Sequence, residues 1–226
     1  MISVIVPVYN QQEYLNDCID SILDNNLGER VQIIIVNDGS TDNSLEIAKR
    51  YRVWSNVKVI DQVNKGLASA RNTGIMNAKF DWIFPLDADD MIKENCLEKI
   101  LVAIKENPEA DIIAPSFKEF GVRNQEIVLL KDPSLEDFKT GNRIGYFSAI
   151  RKSKLLEVGG YSPKMVEGYE DLHLTINLLT RGAKLKTLKD VLVLYRTKVE
   201  SMYTKITPEI HKKLIGQINK DFPNAN

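Results

Sequence analysis

A chain of 226 residues with 43% hydrophobic and 27% charged side chains can bury a sizeable core, and its composition excludes a disordered, collagenous or disulfide-stapled protein. Its net charge of −1 is unevenly divided: residues 1–180 carry 20 basic and 27 acidic side chains, residues 181–226 carry 10 and 4. A charge so diluted argues against nucleic-acid binding, and no apolar run nears the ~18 residues of a membrane span. The two cysteines, Cys18 and Cys96, lack zinc spacing and read as buried thiols in a reducing, cytoplasmic setting. Met1-Ile2-Ser3-Val4 enters a strand pattern without a basic leader, so secretion is not expected. The basic stretch from 181 onward either faces a diphosphate, faces an anionic membrane surface as a peripheral contact, or is simply solvated.

In chain order, Ile2–Val8 is an apolar run suited to a buried parallel strand. Asn10 with Glu13 three residues on predicts a helix start, and Leu15, Cys18, Ile19, Ile22 and Leu23 follow at helical spacing until Asn25-Asn26-Leu27-Gly28. A second strand is expected over Val31–Val36, a turn at Asn37–Ser40 and a helix over Asp42–Arg52. A third strand spans Val57–Ile60, and a helix is marked by Leu67, Ala70, Gly74, Ile75 and Ala78. A fourth strand covers Trp82–Leu86, before a helix marked by Leu97, Ile100, Leu101 and Ile104. Beyond 115 the pattern loosens into a hairpin or loop over Phe117–Leu130, a short helix near Pro133–Lys139 and a strand near Ile144–Ile150. A helix over Tyr169–Thr180, a strand over Lys184–Tyr195, an amphipathic helix over Pro208–Lys220 and a frayed Asp221–Asn226 complete the chain.

Alternation of strands and helices over residues 1–115 predicts an α/β fold with a mostly parallel central sheet sandwiched by helices. In such folds ligands sit beyond the carboxyl ends of the strands. The unusual polar clusters of this half fall there: Tyr9-Asn10, Asn37-Asp38-Gly39, Asp61 to Gly66, and Asp87 to Asp90. Asp87-Ala88-Asp89-Asp90 is either a site for a hard divalent cation, Mn²⁺ or Mg²⁺, or a set of acids suited to a helix dipole. Asn37 to Asp42 is a turn and helix cap, or offers the Asp38 carboxylate to a ligand base. Asn64-Lys65-Gly66, with Arg71 behind it, could attract phosphate. Glu170-Asp171 either compensates a helix dipole or supplies a general base, and Tyr195-Arg196 with Lys198 is either ordinary surface or a counter-charge for a diphosphate.

The order of these motifs is more specific than any one of them. Pro7-Val8-Tyr9-Asn10, Asn37 to Asp42, Asn64 to Gly74, Asp87 to Asp90, Gly159-Gly160-Tyr161, Glu170-Asp171 and Tyr195-Arg196 together closely resemble the family 2 glycosyltransferases of GT-A fold, over about residues 2–202. The resemblance implies a GT-A catalytic domain over 1–205, with a nucleotide-binding half to about 115 and a smaller, irregular acceptor-side half at 116–205, followed by a short helical tail at 206–226. It implies an inverting transfer of a sugar from a nucleoside-diphosphate donor, UDP-linked by expectation, to a glycan, lipid-linked or protein hydroxyl in surface-glycan synthesis. Pro7, Tyr9 and Asp38 then line the nucleoside site, Lys65 and Arg71 border the nucleotide, and Asp87 lies near the ribose and metal. Asp89 is the direct metal ligand, Asp171 the catalytic base, and Glu170 orients acceptor or base, while Gly159-Gly160-Tyr161 borders the donor sugar and acceptor.

One position departs from the pattern. Many relatives carry His three residues after the Tyr of the Tyr-Arg motif, and here that position is Lys198, which cannot ligate a metal as a cation. Weaker metal affinity with preserved neutralisation of the diphosphate is therefore expected. A nucleotidyltransferase of similar sheet would carry a Gly-rich signature where this chain has Pro7-Val8-Tyr9-Asn10. A non-catalytic nucleotide-sugar-binding or scaffold protein is the alternative, and the two acidic clusters argue against it.

Overall fold

The structure is a computed structural model that describes residues 1–200 and 203–223. Among these residues nine strands form one sheet, in the order β3-β2-β1-β4-β8-β6-β9-β5 with β7 on β6. The first four, β1 (Ile2–Val8), β2 (Val31–Asp38), β3 (Val57–Gln62) and β4 (Trp82–Pro85), pair in parallel. The second half makes the sheet mixed. Strand β8 (Ala149–Arg151) is antiparallel to both β4 and β6 (Ile112–Gly121), and β9 (Leu185–Thr197) is parallel to β6. Two short strands, β5 (Met91–Ile92) and β7 (Gln125–Ile127), add antiparallel pairs to β9 and β6.

Every residue of β1 and β2 is buried, as expected of inner parallel strands covered on both faces. Ile2, Val4, Val6 and Val8 point to one core, against Leu15, Cys18 and Ile19 of α1 (Leu15–Leu23) and Leu97 and Ile100 of α4 (Cys96–Glu106). Helix α2 (Ser44–Arg50) closes the same face through Ile47 and Ala48. Ile5 points to the opposite core, with Ala70 and Ile75 of α3 (Leu67–Asn77), Leu155 of α5 (Lys152–Glu157), and Leu172, Leu174 and Ile176 of α6 (Glu170–Thr180). Each such aliphatic side chain contributes about 1.5–3 kcal/mol by leaving water. Gly74 lets α3 lie directly on β1, since a Cβ there would meet Ile5 Cγ2 at 2.3 Å. Cys18 and Cys96 are free and buried.

Several elements differ from expectation. Asn10 does not cap α1: it has φ +53°, and its Oδ1 accepts from the Thr41 N–H at 2.8 Å, so the helix starts at Leu15 without a side-chain cap. The region expected as a loop or hairpin from Phe117 belongs largely to β6, which begins at Ile112 and turns back through β7. Pro115 obscures that strand in the sequence; lacking an N–H, it sits where the β6–β9 register shifts at a bulge. The strand expected from Ile144 is regular only over β8, and the residues before it deliver Tyr146 and Phe147 into the interior instead. Helix α7 (Pro208–Asp221) forms with Thr207 Oγ1 accepting from the Ile210 N–H, and buries Leu214 and Ile218 in the second core. Of the end expected to fray, Asp221 closes α7 and residues 224–226 lie outside the described residues.

Candidate active site

The loops leaving β1, β2 and β3 brace one another at the carboxyl end of the sheet. Asp38, at the end of β2 and 3% exposed, accepts from the backbone N–H groups of Lys65 (2.9 Å) and Gly66 (2.8 Å) and from Gln62 Nε2 (2.7 Å). Its neighbour Asn37 donates to Asp61 at 2.7 Å, and the Asn10 N–H donates to Ser40 Oγ at 3.0 Å. Pro7 is buried in β1, whereas Tyr9 just beyond it stays 48% exposed and the Lys65 side chain is exposed. The cleft floor is thus a stiff set of carboxylate-to-backbone bonds with one aromatic ring free at its rim.

Arg71 is the junction of the two halves. The motif containing it was expected to border the nucleotide, and the structure buries Arg71 to 1% exposure between two carboxylates. Nη2 donates to Asp87 Oδ1 and Oδ2 (2.8 and 3.0 Å), and Nη1 donates to Glu170 Oε1 (2.6 Å). The rings of Tyr146 and Tyr161 cover it, with centroids at 4.9 and 5.1 Å. Arg71 therefore ties the loop after β4 to the start of α6, gripping Asp87 16 residues and Glu170 99 residues further along the chain.

The other two acids after β4 have separate partners. Asp90 is 1% exposed and accepts from Tyr146 Oη (2.5 Å) and the Arg196 N–H (2.6 Å), while burial and the nearby Asp89 raise its pKa well above the usual carboxylate value. Tyr146 Oη also accepts from the Asp87 N–H at 2.9 Å, fixing both ends of the acidic turn. Asp89 keeps about a quarter of its side chain exposed, and its Oδ2 lies 2.7 Å from Lys198 Nζ. Arg196 donates from Nε to the Asp89 carbonyl (2.8 Å) and is sandwiched between the rings of Tyr14 and Phe120, each centroid at 4.5 Å. Asp87 is pushed up to about 6 by burial, which outweighs Arg71, with Asp89 adding to the rise.

Asp171 opens α6 beside Glu170. Its Oδ1 accepts from the Leu172 N–H (2.8 Å) and its Oδ2 from Asn142 Nδ2 (2.6 Å). Burial first, and the adjacent Glu170 second, push it up to about 6, near the working range of a general base at neutral pH. Gly160 positions the wall opposite: it has φ +74°, and a Cβ would come within 2.3 Å of Asn72 Oδ1. Asn72 clasps Tyr161 at both backbone groups, donating to its carbonyl and accepting from its N–H at 2.8 Å each.

The described residues contain no group of three or more His, Cys, Asp or Glu side chains able to hold a metal. Asp90 is buried against Tyr146 and the Arg196 backbone, whereas Asp87, held by Arg71, and Asp89, held by Lys198, each keep about a quarter of the side chain exposed. One carboxylate fits a hard cation that takes its remaining oxygens from water and substrate phosphates, the usual habit of Mg²⁺. Tyr146 and Asn142, which hold the acidic turn and Asp171, were not singled out in the sequence, because nothing in their local pattern marks them.

The model of the family described as "Glycosyl transferase family 2" matches residues 3–166. Glycosyltransferase GlyG of Streptococcus pneumoniae serotype 4 is 40% identical over 122 residues, 53% of this chain and 40% of that protein. The poly(ribitol-phosphate) beta-glucosyltransferase of Bacillus spizizenii is 30% identical over 213 residues, 91% of this chain and 33% of that protein. The chain spans less than half the length of each of these relatives. The solved structure of S. aureus TarS 1–349 in complex with UDP-GlcNAc superposes with a TM-score of 0.83 at 22% identity, covering 100% of this chain and 67% of that one. That likeness shows a shared fold, the GT-A arrangement expected from the motifs.

Proposed function

The chain belongs to glycosyl transferase family 2, and on that premise we propose that it is an inverting glycosyltransferase, moving a sugar from a UDP-linked donor to a hydroxyl acceptor in surface polysaccharide or glycoconjugate synthesis. The observation that carries this reading is the Arg71 junction, which ties the donor-side Asp87 to Glu170, the immediate neighbour of Asp171. A leaving-group site and a base thereby belong to one rigid unit, an arrangement that a non-catalytic scaffold has no use for.

Tyr9 stacks on the nucleoside base, Pro7 shapes the wall behind it, and Asp38 holds the Lys65–Gly66 backbone that borders the nucleotide. Asp89, with Asp87 beside it, would hold Mn²⁺ or Mg²⁺, which would supply positive charge against the charge that grows on the departing diphosphate. Arg196 and Lys198 add to that neutralisation. Asp171 takes the proton from the acceptor hydroxyl, whose oxygen bonds to the anomeric carbon as the bond to the diphosphate breaks on the opposite side. Glu170, pinned by Arg71, keeps Asp171 basic through its charge.

The acceptor is a glycan, a lipid-linked glycan or a protein. The basic stretch over 181–226 supports work in the cytoplasm at the inner face of a membrane; among the described residues no helix is long and apolar enough to cross one. A relative that is a beta-glucosyltransferase of poly(ribitol-phosphate) supports a polymer as acceptor. The reading is tested by the anomeric configuration of the transferred sugar, followed by NMR. An α-linked donor yields a β-linked product if displacement is single and in line; retention of configuration overturns the mechanism.

A further inference from the structure

The surroundings of Lys198 are those of a built site rather than a solvated surface. Its Nζ lies 2.7 Å from Asp89 Oδ2, 3.4 Å from Gln11 Oε1 and 4.1 Å from the centroid of the Tyr14 ring, with only 22% of the side chain exposed. Carboxylate, amide oxygen and aromatic face are the partners an ammonium prefers. Among the described residues, the other two acids of the turn already carry partners: Asp87 accepts from Arg71 with both oxygens, and buried Asp90 accepts from Tyr146 and the Arg196 N–H.

A divalent ion arriving alone therefore meets one carboxylate already neutralised, and must displace a like charge to reach it. A diphosphate reverses that balance. It brings hard oxygens for the ion and an anionic partner for the displaced ammonium. We propose that Lys198 is a resident cation that closes Asp89 to free metal, so that the metal enters only together with the diphosphate of the donor, to which Lys198 then turns. This inference rests on the donor-site reading of Asp89 given above and adds an order of loading to it.

The test is calorimetric titration of Mn²⁺, with and without UDP, into the full chain and into Lys198→Met, which keeps the aliphatic stem on Tyr14. Wild-type protein is expected to bind Mn²⁺ measurably only with UDP present. Lys198→Met is expected to bind Mn²⁺ alone at least about tenfold more tightly, and UDP with saturating Mn²⁺ about tenfold more weakly, the size of one charge-assisted contact. Lys198→Gln gives the same directions and serves if the first variant does not fold. Unchanged affinity for Mn²⁺ alone in both variants, or equal wild-type affinity with and without UDP, overturns the proposal. Failure of every protein to bind UDP counts against the donor reading, whereas the nucleotide-free titrations still decide the role of Lys198.

Discussion

Asp171 sits where a base is useful and where a carboxylate is uncomfortable. Its pKa is raised by burial and by Glu170 to about 6, so kcat/KM is expected to rise with pH through about 6 and then level off. Asp171→Asn should lower kcat by roughly 10²–10⁴ and abolish that limb; wild-type turnover in the variant contradicts the assignment. The same shift has a stability consequence. A carboxyl whose folded pKa lies above its unfolded value near 3.8 favours the native state below that value, and this contribution is lost as pH rises through about 6. Asp171→Asn is therefore expected to raise Tm by a few degrees at pH 8 and to leave it unchanged at pH 4, read by calorimetry at both values. The acids after β4 and at the start of α6 were legible in the sequence because carboxylates cluster there at the ends of apolar runs. Their partners were not. Tyr146 lies 56 residues from Asp90 and Asn142 29 residues from Asp171, both in an irregular stretch. The two ion pairs of Arg71 were also hidden, since its partners lie 16 and 99 residues away.

Between elements, Asn72 clasps the Gly159-Gly160-Tyr161 turn onto α3. Gly160→Ala forces a Cβ onto Asn72 Oδ1 at a positive φ, so a loss of about 1–3 kcal/mol is expected from the denaturant midpoint. Asn72→Ala removes both bonds to the Tyr161 backbone and is expected to destabilise by a similar amount. If both variants unfold at the wild-type midpoint, the clasp carries no stability. The first four strands and their helices were readable because continuous apolar runs alternate with helical spacing, and tertiary packing did not override either. Beyond 115 the signal fails for identifiable reasons. Pro115 interrupts β6 at its bulge, and Gly145-Tyr146-Phe147 is apolar because its rings pack with Phe117 and Tyr195, not because it is a strand.

Across the whole molecule, the sheet is parallel where it must leave an open carboxyl edge and mixed where β6, β8 and β9 return the chain to that edge. This return brings Arg196 and Lys198 to the acidic turn more than 100 residues after it in sequence. The order of motifs was sufficient to anticipate the fold, but the distances between them come only from the return path. Helix α7 is part of the packed body: Leu214 and Ile218 are buried, and Asp221 meets His173 at 3.2 Å, with Phe222 on the same ring. Ending the chain at Thr207 is thus expected to reduce stability by about 2–5 kcal/mol, the usual range for stripping large apolar groups from a core, measured by urea unfolding. An unchanged midpoint would make the helix an appendage.

The central claim is that this cleft transfers sugars from nucleoside diphosphates with the help of a divalent metal. Its most direct test is release of nucleoside diphosphate from a panel of nucleotide sugars, each incubated with Mn²⁺, Mg²⁺ or EDTA. One donor hydrolysed in the presence of metal and spared in EDTA is the predicted result, and it names the sugar. No release from any donor, together with no donor binding by calorimetry, contradicts the account and favours a scaffold of the same fold.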